Sequence, residues 1–272
     1  MKQFSASPRE MLGSLWRNRR LVKSLIQREI LGRYRGSIMG VFWSLITPAL
    51  MLTVYTFVFS VIFKARWSSE STSMTEFGMV LFPGLIMFNI FAECIGKGPS
   101  LILTNSNYVK KVVFPLDILP WVSLGSALFH AIVSLGVWLT AYLILFGVPH
   151  LTVLLLPLVI LPLIFLIMGL SWGLASLGVY LRDVSQFVGI LITLIMFLSP
   201  IFYPVSALPQ EYRWLLMINP LTSVVESARN VLFWGVVPDL GFLGTYLLGS
   251  AVLAWLGFVW FQKTRKGFAD VL

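Results

Sequence analysis

ILPWVSLGSALFHAIVSLGVWLTAYLILFGVPHLTVLLLPLVILPLIFLIMGLSWGLASLGVYL, residues 118–181, contains no Asp, Glu, Lys or Arg. A helix crossing the hydrocarbon core of a bilayer needs about 20 apolar residues. This run is long enough for two crossings, and Gly147-Val148-Pro149-His150 supplies the turn between them. Working outward, residues 37–63 carry no charge and 77–96 carry only Glu93. Val184 to Gln210 is uncharged, with Pro200 and Pro204 closing its helix, and Leu240 to Gln262 is the last apolar run. The pattern predicts an all-α polytopic membrane protein with six transmembrane helices, at about 37–63, 77–96, 118–147, 151–181, 184–203 and 240–262.

Composition agrees over the 272 residues: 58% are hydrophobic, 11% are charged, and the mean hydropathy is +0.88. A soluble domain runs near ~25% charged residues, and no core of this size could hide so much apolar surface. A soluble enzyme, a disordered chain and a secreted disulfide scaffold are excluded. The lone Cys94 cannot form an internal disulfide.

The charges set an orientation. Residues 1–36 hold nine of the twenty Lys and Arg. Alternating sides places them with the 97–117 loop, Arg182 and the tail, sixteen basic residues against four on the other face. The positive-inside rule puts both termini in the cytoplasm, and the same asymmetry accounts for the +9 net charge without nucleic acid. No apolar segment typical of a cleavable signal precedes Gly36.

Within 1–36, residues 11–31 predict an amphipathic interface helix. Met11, Leu15, Val22 and Ile26 recur at helical spacing, and Arg17, Arg20, Ser24 and Arg28 lie opposite. The loop 97–117 is long for a link between packed helices. Residues 204–239 are too polar for a full span yet contain apolar pieces, which predicts a re-entrant helical pair broken at Asn219-Pro220.

Few catalytic patterns occur. Gly169-Leu170-Ser171-Trp172-Gly173 fits G-x-S-x-G, but that elbow needs a strand, a sharp turn and a base. Here it lies in a helical run, and small residues at 169, 173, 176 and 178 read better as a helix-packing stripe. Gly96-Lys97-Gly98 lacks the spacing of a phosphate-binding loop, so no ATPase site is expected in this chain. No metal-ligand spacing is present; His130 and His150 stand alone. Glu93 is the only acid inside a predicted span, which makes it a functional candidate, although water or Lys97 could reach it. Trp43, Trp67, Trp255 and Trp260 fall near predicted interfaces. Tyr55, Phe59 and Phe63 share one face of the first helix, either as lipid-facing packing or as a track of rings for sugar C–H faces.

Local sequence then converges on a family. Arg33-Tyr34-Arg35-Gly36-Ser37 with Gly40-Val41-Phe42-Trp43-Ser44-Leu45-Ile46-Thr47-Pro48 resembles the start of ABC-2 type permeases that export polysaccharides. Lys110-Lys111-Val112-Val113-Phe114-Pro115 and Tyr180-Leu181-Arg182-Asp183 are similar to their cytoplasmic loops. Pro200-Ile201-Phe202-Tyr203-Pro204 and Asn219-Pro220-Leu221 resemble their fifth-helix exit and outer re-entrant pair. The resemblance implies a transmembrane domain over 37–272, a homodimer in the inner membrane, and two cytoplasmic ATPase subunits that carry ATP and Mg. It also implies an undecaprenyl-pyrophosphate-linked polysaccharide as substrate, most simply O-antigen, with capsule or teichoic acid as alternatives. A drug or lipid exporter of the same fold and a lipid-modifying enzyme are the readings from further afield.

Three sets of residues become candidates. Lys110, Lys111, Phe114, Pro115, Arg182 and Asp183 are placed to meet the ATPase. Tyr55 and Phe59 are expected to line a channel between two copies, formed by the first and fifth helices. Arg33, Tyr34 and Arg35 lie at headgroup depth, where guanidinium forks could hold a pyrophosphate and where basic residues also anchor to anionic lipid.

Overall fold

A computed structural model describes residues 5–64, 66–67, 75–109 and 114–272; Lys110 and Lys111 lie outside the described residues. Two short helices, α1 (Pro8–Arg17) and α2 (Arg19–Arg33), precede α3 (Trp43–Thr56). There follow α4 (Glu76–Lys97), α5 (Ser106–Val109), α6 (Leu119–Leu145), α7 (Leu156–Tyr180) and α8 (Val184–Leu198). After these come α9 (Arg213–Ile218), α10 (Pro220–Arg229), α11 (Leu240–Thr264) and α12 (Phe268–Val271). No strand occurs among the described residues.

Among the described residues, five helical segments are long and apolar enough to cross a membrane: Gly40–Ile62, Glu76–Ser100, Leu116–Leu145, Leu151–Tyr180 and Leu240–Val271. They match five of the six predicted runs. The fifth run differs: its helix stops at Leu198 rather than continuing to 203. Ser199 is extended, with ψ 145°, because a residue before proline is driven from the helical region. At 15 residues α8 is about 22 Å long, short of a hydrocarbon core of about 30 Å.

α4 is the central helix, buried along most of its length, whereas α3 leaves half of its residues exposed and α6 is buried near its start and exposed toward its end. Lipid gives apolar helices no hydrophobic reason to associate, so close backbone approach and polar ties must hold them. Between α7 and α11 the approach is closest at Gly169 and Gly257: a Cβ on Gly257 would sit 2.1 Å from the Gly169 carbonyl oxygen. One on Gly178 would sit 1.9 Å from the carbonyl oxygen of Pro99. Gly173 has nothing within 4 Å, so the stripe read from the sequence is used at 169 and 178 but not at 173. Ser171 is buried inside α7, with no strand or elbow around it.

The predicted single helix over 11–31 is instead two, divided at Asn18, whose side-chain amide donates to the Ser14 carbonyl at 2.8 Å and ends the first segment. Its apolar stripe is largely covered by protein. Val22 packs with Ile118 and Val122, and Ile26 lies against Gly125 of α6. The apolar side chains left exposed are Leu12, Trp16, Leu21 and Leu31.

Between α8 and α11 lie the two short helices α9 and α10, which meet at Asn219-Pro220. Asn219 caps α10 by accepting from the Leu221 amide at 3.0 Å, and Pro220 occupies its first turn. The 147–155 turn is tied to the helical segment Asn230–Trp234 that follows α10 through Thr152, which donates to the Val231 carbonyl at 2.7 Å.

Candidate functional site

A cavity of about 490 Å³ runs between the end of α2, α3, α4 and α6. Arg33, Tyr34 and Glu93 lie among its walls together with Tyr55, Asn89 and His130. It therefore joins two groups that the sequence placed separately, Arg33 with Tyr34 and the channel candidate Tyr55. Arg35 is exposed and does not line it. Phe59 does not line it either: it stacks on Phe77 and Phe202 with ring centroids 5.2 and 5.7 Å apart. The aromatic stripe that begins in α3 and continues through Phe57–Ile62 thus turns partly inward, while Phe63 stays exposed.

The charges around this cavity form one network. Arg33 Nη1 and Lys97 Nζ both donate to Glu93 Oε1 at 2.9 Å, and Lys97 also reaches Glu29 Oε1 at 2.6 Å. The Glu93 side chain is 16% exposed against 51% for Arg33. A carboxylate at that depth is stable only with partners. The i,i+4 geometry on α4 delivers Lys97, and the end of α2 delivers Arg33. Tyr34 meets the His130 ring edge-on with centroids 6.1 Å apart, and desolvation holds its hydroxyl above the ordinary phenol range, so it remains a donor. His130 Nε2 is buried with no hydrogen-bond partner among the described residues. Sequence proximity suggested Lys97 for Glu93; Arg33 and Glu29 are distant in sequence and were missed.

A smaller cavity of about 390 Å³ lies on the far side of Lys97, walled by Arg28, Glu29, Ser100 and Tyr108. Next to it the described end of the predicted coupling loop, from Phe114 to Asp117, is held by contacts. Phe114 stacks on Tyr108 at 4.1 Å, and its carbonyl accepts from Arg265 at 2.9 Å. Asp117 is buried and accepts from Ser14 and, at 3.0 Å, from Arg265; its carbonyl accepts from Trp172 Nε1 at 3.0 Å. One carboxylate therefore ties α1, the loop and the C-terminal segment together. Pro115 is half-buried beside it, while Arg182 and Asp183 are exposed.

At the other end, Arg229 is fully buried. It donates to the carbonyls of Val80, Pro200 and Ile201 at 3.0, 2.5 and 2.7 Å and to Glu226 at 2.6 Å. Its guanidinium lies 4.3 Å from the ring centre of Trp67, which the sequence had placed in an interfacial belt. In the sequence Arg229 is one of the four basic residues on the less basic side. The available signal was its position three residues after Glu226 in a short, proline-started helix flanked by apolar residues. Among the described residues no group of three His, Cys, Asp or Glu could hold a metal ion.

Comparison with known proteins places this arrangement. The profile of the ABC-2 type transporter family matches residues 20–233. The O-antigen export system permease protein RfbA of Myxococcus xanthus is 30% identical over 96% of this chain and 98% of its own length. A Klebsiella pneumoniae protein of the same name is 24% identical over 93% of this chain and 95% of its own. The polysialic acid transport protein KpsM of Escherichia coli is 25% identical over 90% and 93%. A multi-pass helical chain matched over most of its length by one family profile, and end to end by such relatives, belongs to the ABC-2 type transporter family.

Proposed function

We propose that this chain is the permease subunit of an exporter that moves lipid-linked polysaccharide, O-antigen in the first instance, from the cytoplasm across the inner membrane. The observation that carries the reading is the cavity. Arg33 at its half-exposed end suits a phosphate, the rings of Tyr34 and Tyr55 suit sugar C–H faces, and Asn89 suits sugar hydroxyls. The names of the relatives supply the cargo, and KpsM favours capsule polysaccharide as the second reading.

In this reading six helices cross the membrane, the short α8 being continued by the extended residues after it. The α9–α10 hairpin re-enters from the outer face, and the basic bias holds both termini in the cytoplasm. Two copies enclose the channel, with the exposed faces of α3 and α8 against one another. ATP and Mg belong to two copies of a separate ATPase beneath them, met through the loop ending at Phe114-Pro115 and through Arg182-Asp183. The test is deletion of the gene followed by location of the lipid-linked glycan. Cytoplasmic accumulation with loss of surface polysaccharide is the expected result; unchanged surface polysaccharide would refute it.

Two substitutions probe the parts. Changing Arg33 and Arg35 together to Lys keeps the charge but removes the forks, so surface polysaccharide should fall about tenfold at normal membrane levels of the protein. Full export by that variant would leave these residues an anchoring role alone. Arg182 is exposed, so Arg182→Glu reverses a surface charge without opening the core. ATP hydrolysis by the assembled complex should fall at least about threefold if a charged contact to the ATPase is lost. Equal turnover with and without the substitution would remove Arg182 from that contact.

A further inference from the structure

The cavity already contains an anion at its basic end. Glu93 presents one oxygen, Oε1, to both Arg33 and Lys97, each at 2.9 Å. The two cations are not equivalent. Lys97 comes from the same helix one turn on and is itself bound to Glu29, whereas Arg33 reaches across from the end of α2 and is half exposed. If Arg33 swings away, Glu93 keeps Lys97, so the buried carboxylate is not stranded without a partner.

From this we propose that Glu93 is a built-in competitor for the phosphate of the cargo: it holds Arg33 until a diphosphate carried on a polyprenyl lipid displaces it. The inference rests on the export reading, because that reading supplies the diphosphate lipid. It adds that access is gated by an exchange of one anion for another at Arg33. The chemistry favours the exchange, since a diphosphate offers a guanidinium two oxygens and more negative charge, against the single oxygen Arg33 receives from Glu93. A neutral glycan or a zwitterionic phospholipid lacks the charge to compete. The same lock would keep Arg33 off the ordinary lipids that surround it.

His130 and Tyr34 stand beside the exchange. Their rings are in edge contact, and both line the cavity with Arg33 and Glu93. The buried Nε2 of His130, unpartnered among the described residues, is a polar group available to the incoming head. Lys97 also borders the second cavity, next to Ser100 and Tyr108. Release of Arg33 therefore alters the charge balance on the residue that begins the loop toward Phe114.

The experiment measures binding by the purified full-length chain in nanodiscs of neutral phosphatidylcholine, with farnesyl diphosphate as the probe. Glu93→Gln removes the competitor and should tighten binding about fivefold. Arg33→Gln should weaken it at least fivefold, and adding Glu93→Gln to Arg33→Gln should recover nothing. Glu93→Asp keeps a partner for Lys97 while drawing the carboxylate back from Arg33, so it should also tighten binding; this covers the case in which the Gln variant does not fold. The same gain with inorganic pyrophosphate supports the exchange with the phosphates alone as ligand. A gain confined to farnesyl diphosphate supports it with the lipid included. Unchanged or weaker binding by both Glu93 variants overturns the proposal, as does a gain that persists without Arg33, or a gain seen only for phosphatidylglycerol. The readout is independent of export. A deletion strain that still exports would refute the proposed function, whereas normal export with no effect of Glu93 on binding would refute only the exchange.

Discussion

Arg229→Met should destabilise the protein by about 3–5 kcal/mol, the range for removing one partner from a buried charged network. The guanidinium is the shared donor for three carbonyls and a carboxylate drawn from α4, from the residues after α8 and from α10. Methionine fills much of the space but donates nothing. The carbonyls of Pro200 and Ile201, just beyond a helix that has already ended, lose the donor that Arg229 provides. Arg229→Lys retains the charge without the planar fork and should recover less than half of the loss. Thermal unfolding of the detergent-solubilised chain, followed by the fraction that stays monodisperse, measures both variants. A melting temperature within 2 °C of wild type for Arg229→Met, about the shift of a ~1 kcal/mol change in a chain this long, would show that the hub contributes little.

The second large effect is expected at Gly257. Even alanine there would place a Cβ 2.1 Å from the Gly169 carbonyl oxygen, and the obstacle is backbone on the opposing helix, which cannot rotate away as a side chain could. α7 and α11 must separate along their contact, and Gly257→Leu should cost about 3 kcal/mol or more. Gly173→Ala is the matched control. It lies on the same helix as Gly169, has open space where its Cβ would go, and should be tolerated. The comparison is read from the folded yield of each variant in membranes. Equal yields for Gly257→Leu and Gly173→Ala would contradict the close approach.

How far the fold can be read from the chain depends on which physical signal each element carries. Residues 40–62, 76–100, 116–145, 151–180 and 240–271 carry a composition signal, because lipid demands a long apolar run whatever the neighbouring helix is. Their ends fell within a few residues of the predicted runs, apart from the C-terminal limit of the last. α8 was overextended because its apolar run continues past Ser199, and the stop comes from the local geometry before Pro200. The break at Asn18 was missed for the opposite reason: a single side chain competes with the backbone inside an otherwise good amphipathic repeat.

The site was legible one residue at a time but not as an arrangement. Glu93 stood out as an acid within an apolar run, and Arg33 as a basic flank. That they touch depends on the way α2 packs along α6 and brings its end to α4, which no spacing records. Arg229 and Asp117 were hidden in the same way. Each looks like a surface charge until helices distant in sequence surround it. Arg182, Asp183 and Phe114 were chosen for their position in loops; the structure leaves the first two exposed and stacks the third on Tyr108.

Lipid-linked polysaccharide is expected to cross a bilayer through this chain when a partner hydrolyses ATP. The most direct test uses proteoliposomes containing the purified chain, its ATPase subunit and lipid-linked glycan enclosed on one leaflet, with a lectin reporting glycan on the other. Lectin binding should rise with time only when ATP and both subunits are present. Lectin binding that stays flat with ATP, or rises equally in liposomes made without this chain, would contradict it.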